Sequence, residues 1–133
     1  MIEFHLAALP PTTNDAYVPA KVRGHRAMLL SDAARAYKAT TRLELLEKLS
    51  PADSMDGRRW HRLELTFYFE GLYTTTPGAK GRFRVVDVSN RVKLLEDVIA
   101  EVFGVNDCCF KTLVLSKEEG PEGVSVRIEE LDG

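Results

Sequence analysis

Cysteine is nearly missing from this chain: two occur in 133 residues, and they are neighbours, Cys108 and Cys109. Adjacent cysteines supply neither a disulfide framework nor the spaced ligand pairs of a zinc site, so reduced, packed thiols are expected. Long apolar runs are missing too, and no stretch reaches the roughly eighteen residues that a membrane-spanning helix needs. Met1 leads straight into an alternating pattern rather than into a charged leader followed by an apolar run, which predicts a soluble, cytosolic protein. The single tryptophan, Trp60, has no partner aromatics for a base-stacking platform and reads as a core or edge anchor. Internal repeats and low-complexity tracts are also missing.

What is present is enough apolar material, 44% of the chain, for one core, and residues 1–133 read as a single domain. The formal net charge is −2, but it is unevenly spread. Residues 1–93 hold 15 Lys and Arg against 10 Asp and Glu, whereas residues 94–133 hold 3 against 10. That distribution predicts one positive face, enough for phosphate binding, although ordinary solvated charges give the same composition.

Alternation of Ile2, Phe4 and Leu6 with Glu3 and His5 predicts a first strand, which Pro10 and Pro11 stop. A long loop to about Ala27 follows, carrying Lys21, Arg23, His25 and Arg26, with a short extra strand near Met28 to Leu30. Ser31 and Asp32 offer a helix N-cap, and Ala34, Tyr37, Thr41, Leu45 and Leu49 give a helix over about 32–49 one buried stripe. Arg35, Lys38 and Arg42 share the other face, either as a solvated row or as phosphate contacts.

His61 to Leu72 is the clearest period-two run, and Thr74 to Gly81 reads as a loop ending in Lys80, Arg82 and Arg84. Val92, Leu95, Ile99 and Val102 predict a second helix over 89–103, capped by Gly104. Two strands, Phe110 to Leu115 and Gly123 to Leu131, are expected to form a hairpin turning at Glu118 to Glu122. The order predicts an α+β fold of two layers, a mixed sheet of about four strands against two helices.

Chemistry concentrates in Asp87-Val88-Ser89-Asn90-Arg91-Val92-Lys93 and in Asn106-Asp107 beyond it. Asp87 precedes a helix whose free amides favour anions, and Ser89 is its best N-cap candidate. Asn90, Lys93 and Asp97 fall at i, i+3 and i+7 on one helical face. Asp107 follows after the chain turns back, and its carboxylate approaches Asp87 only if the strand from Phe110 pairs near the one leading to Asp87. Two carboxylates, an amide and an ammonium are able to share one divalent cation and one phosphate. The plainer alternative makes Asp87 a capping acid, Asp107 a turn residue and Lys93 an exposed partner of Asp97.

The run from Asp87 to Asp97 with Val105-Asn106-Asp107 resembles the signature of the RusA family of Holliday junction resolvases: Asp-x-Asp-Asn-x-x-Lys, an Asp four residues on, then an Asp-Asp turn. Leu9-Pro10-Pro11 through Asn14 is similar to the family's proline-rich loop, and Leu30 through Tyr37 to its first helix. With the C-terminal strands, the resemblance spans nearly the whole chain. It implies a small homodimeric endonuclease, often phage-encoded, that nicks four-way and other branched DNA in recombination and repair using Mg²⁺ or Mn²⁺. On that likeness Asp87 and Asp107 bind metal and act in catalysis with Lys93, while Ser89, Asn90 and Asp97 support them. Ser89 stands where the family has a second aspartate, and its neutral hydroxyl supplies no charge. DNA contacts are expected from Lys21, Arg23, Arg26, Arg35, Lys38, Lys80, Arg82 and Arg84. A branched-DNA-binding relative of weak or absent activity is the second expectation.

Overall fold

A computed structural model of the chain describes residues 1–72 and 88–132, with the backbone alone at Thr13, Asn14 and Asn90. In chain order the elements are β1 (Ile2–Leu6), a one-turn helix α1 (Thr13–Ala16), β2 (Tyr17–Val22), β3 (His25–Leu30), α2 (Asp32–Lys48), β4 (His61–Phe69), α3 (Val92–Phe103), β5 (Phe110–Glu119) and β6 (Gly123–Glu130). Short 3₁₀ turns at Ser89–Arg91 and Asp107–Cys109 bracket α3. Among the described residues no helix is long and apolar enough to cross a membrane.

β4 organises the main sheet. Its odd positions, His61, Leu63, Leu65, Phe67 and Phe69, are buried while the even ones are partly exposed, as strict alternation requires of a sheet covered on one face. The sheet order is β1-β6-β4-β5; β6 runs antiparallel to both β1 and β4, and β5 runs parallel to β4. Apolar side chains of the covered face meet Leu45 of α2 and Val92, Leu95, Val98 and Ile99 of α3 in one core. The fold is therefore α+β in two layers, as the order of elements predicts.

α2 begins where expected, with the Ser31 hydroxyl accepting from the Ala34 amide at 3.1 Å, and its stripe of Ala34, Tyr37, Thr41 and Leu45 is buried. α3 buries more than one stripe. Leu94 adds a second contact, to Ala16, Ala34 and Tyr37, so only a narrow row of this helix stays open. Gly104 ends it in the left-handed conformation at φ 68°, its amide bonding back to Ala100 and Glu101 carbonyls.

Two expectations need correction. The long loop to Ala27 is instead α1 followed by a β2–β3 hairpin, paired from Tyr17–Leu30 to Val22–His25 around Arg23 and Gly24. Both turn residues have positive φ, 53° and 79°, the geometry of a two-residue type I′ turn, and Pro19 is tolerated because a two-stranded ribbon consists of edges. Neither do β5 and β6 form a hairpin: β4 lies between them, and the connection closes over the end of β4 through Gly120 N–H to the Phe69 carbonyl at 3.0 Å. β6 buries Val124, Val126 and Ile128 completely and so takes an interior place, whereas mostly exposed β5 takes the edge. The expected loop at Thr74 to Gly81 lies outside the described residues.

Candidate active site

The 3₁₀ turn at Ser89–Arg91 feeds α3, and Lys93 leaves its first turn on the open row. One turn on, the Asp97 carboxylate accepts from the Lys93 ammonium at 3.1 Å. Because Gly104 reverses the chain and Asn106 caps the following 3₁₀ turn by accepting from the Cys108 amide at 2.9 Å, Asp107 returns to within 3.7 Å of the same ammonium. Three residues singled out from spacing are thus together. Lys93 is 59% exposed, Asp97 29% and Asp107 38%, so these contacts contribute at most about 0.2–1 kcal/mol each in water. Stability does not explain the arrangement.

Asp97 first, by hydrogen bond and charge, and Asp107 second raise the pKa of Lys93 above its ordinary value. The group remains an ammonium at neutral pH, suited to neutralising negative charge rather than to shuttling protons. Glu96 is the acid that pattern reading missed. Burial first, then the charges of Asp107 and Asp97, raise its pKa, partly offset by Lys93. Its one sequence signal was the i+3 spacing from Lys93. A hollow of about 220 Å³ bordered by Asp97, Glu101, Asn106 and Asp107 adjoins this row.

Arg91 was also missed. Its guanidinium donates to the Pro10 carbonyl at 2.7 Å and lies 5.7 Å from the Phe69 ring centroid, so it fastens the proline loop to the turn that precedes Lys93. The Arg91 Nε is buried with no hydrogen-bond partner among the described residues.

Other expectations divide. Ser89 is exposed and is the first residue of its turn; Val88 and Arg91 hold the cap positions, neither with a side-chain cap bond, so the expected Ser89 N-cap is not formed. Asp87, Lys80, Arg82 and Arg84 lie outside the described residues, as does the Asn90 side chain. On α2, Arg35 pairs with Asp32 and donates to the Leu30 carbonyl while staying largely exposed, Lys38 pairs with Glu101 of α3 at 2.8 Å, and Arg42 is exposed. Lys21, Arg23 and Arg26 are exposed on the hairpin. Cys109 is buried, which raises its thiol pKa, but Cys108 is exposed and not packed. Trp60 sits at the head of β4 with Lys111 Nζ 5.8 Å from its ring centroid, an edge position.

A divalent cation of the hard class takes oxygen ligands, and the carboxylates of Asp97, Asp107 and Glu96 are of that kind. Among the described residues no three His, Cys, Asp or Glu side chains converge into a metal-holding group. No protein-family model and no curated protein matches this chain.

Proposed function

We propose that this chain is a metal-dependent endodeoxyribonuclease of the RusA kind, resolving Holliday junctions and other branched DNA by hydrolytic nicking. The observation that supports it is the Lys93 ammonium standing between Asp97 and Asp107, an exposed arrangement that stability does not require. In this reading Asp87 and Asp107 hold Mg²⁺ or Mn²⁺, and Asn90, Asp97 and Ser89 support them through direct or water-mediated contacts. When bound, such a cation polarises a phosphodiester and lowers the pKa of a water. Lys93 faces the scissile phosphate and neutralises charge that builds on its oxygens, an electrostatic contribution worth about 3–4 kcal/mol in comparable sites. Glu96 adds negative charge beside Asp107. A homodimer presents two such sites to two symmetric strands.

The second reading is a branched-DNA-binding protein that cuts weakly or not at all. Ser89, exposed and uncharged where the resembled pattern has an acid, favours it. A labelled four-way junction incubated with Mg²⁺ or Mn²⁺ separates the two. Nicking by wild type that falls about 10²–10³-fold in Lys93→Met and is lost in Asp107→Asn is the expected result. Retention of the junction in a gel without nicks, unrescued by Ser89→Asp, supports the binding protein. Nicking undiminished by Asp87→Asn or Asp107→Asn defeats the proposed site.

A further inference from the structure

The β2–β3 ribbon carries an electrostatic penalty that no described residue offsets. Residues 17–30 contain Lys21, Arg23 and Arg26, together with His25, and no acid. Lys21 and Arg26 are cross-strand partners, so both side chains leave one face with Cβ atoms about 5 Å apart, where like charges destabilise a strand pair. Among the described residues no carboxylate pairs with Lys21, Arg23 or Arg26.

The same face pairs Pro19 with Met28, which is 62% exposed, and borders a cavity of about 490 Å³ also edged by Ala20, Lys21, Arg26 and Ala27. Two facing cations thus stand beside a flat apolar floor. The six paired positions extend about 20 Å from root to tip, with Arg23 at the apex. At the root Tyr17 and Leu30 pack with Ala16, Ala34, Tyr37 and Leu94, and Tyr17 is close enough to Lys93 to contribute to its electrostatics. The ribbon therefore starts beside the candidate active site.

We propose that this face of the ribbon docks a DNA strand: a phosphate sits between Lys21 and Arg26, the sugar and base rest on Pro19 and Met28, and Arg23 reaches a neighbouring phosphate. An anion between Lys21 and Arg26 converts their repulsion into attraction. A nucleic-acid strand is the partner that presents regularly repeated anions with flat apolar groups beside them. The choice of DNA rests on the nuclease reading, but binding here does not depend on cleavage.

Fluorescence anisotropy with a labelled four-way junction in EDTA tests it over a salt series. Lys21→Gln with Arg26→Gln is expected to weaken binding at low salt at least tenfold and to reduce the slope of log affinity against log salt by about 0.9, the value for the one phosphate that the pair holds. Met28→Ala should weaken binding without changing that slope. Lys21→Arg with Arg26→Lys should bind as wild type, and the exposed sites should leave thermal melting intact. Unchanged affinity and slope in the Gln pair overturns the proposal, as does failure of wild type to bind DNA at low salt. Dissociation of a dimer by the Gln pair, seen by light scattering, assigns the face to a second copy and also overturns it. If hairpin-dependent binding occurs without nicking in Mg²⁺ or Mn²⁺, the nuclease reading falls and the ribbon proposal stands. Nicking that ignores the hairpin gives the reverse.

Discussion

Glu96 shows how much a single side chain here depends on its neighbours. Burial and the charge of Asp107 favour its protonated form in the folded protein, so its folded pKa lies above the ordinary value for a glutamate. The associated stability is fully present below the unfolded pKa and is lost as pH rises through the folded one. In EDTA, Glu96→Gln is therefore expected to raise the melting temperature at pH 7 and to leave it nearly unchanged at pH 4, measured by circular dichroism. A lower melting temperature at pH 7 would show that the carboxylate is stabilising instead. Gly104 is governed by backbone conformation alone: φ is 68° and a Cβ added there would meet only open space, so Gly104→Ala should cost about 1 kcal/mol in urea unfolding. The pairing of Lys93 with Asp97 was legible from i, i+4 spacing, because helix geometry alone brings such residues together. Glu96 was not, since its environment comes from Asp107, eleven positions further along the chain and beyond the Gly104 reversal.

At the scale of elements, β4 needed only its alternating pattern to be read, and its burial follows that pattern position by position. Phe67, fully buried in the core that β4 and β6 share with α2 and α3, is its largest fully buried side chain, so Phe67→Ala is expected to cost about 3–5 kcal/mol in denaturant unfolding. Among the described residues β1 is an edge strand that pairs only with β6. A Cβ at Gly123 would lie 2.7 Å from the Leu6 carbonyl oxygen and 2.6 Å from His5 Nε2, and the backbone oxygen has no easy way to withdraw. Gly123→Ala should therefore loosen β1, costing about 1–3 kcal/mol and raising amide exchange across Ile2–Leu6 more than across β4. The β2–β3 hairpin escaped pattern reading because proline and clustered cations resemble a loop, while the deciding feature was a turn in which Arg23, not only Gly24, adopts positive φ.

For the whole molecule, the decisive event is the reversal that inserts β6 between β1 and β4 and leaves β5 on the edge, parallel to β4. It follows an α3 crossover that buries two faces of the helix and leaves outside the row carrying Lys93 and Asp97. By itself the amino-acid sequence determined the two-layer α+β class, the core faces of β4, β6 and α2, the Ser31 and Gly104 caps, and the local spacing of Lys93 and Asp97. Each depends on periodicity or on backbone chemistry within a few residues. Only the tertiary structure decided the sheet order, the commitment of Lys38 to Glu101, the clasp of Arg91 on Pro10, the approach of Asp107 to Lys93, and the placing of Lys21 opposite Arg26 on the hairpin. These join residues distant along the chain or depend on strand register, and the chain satisfies its apolar burial first, which then fixes where the charges meet.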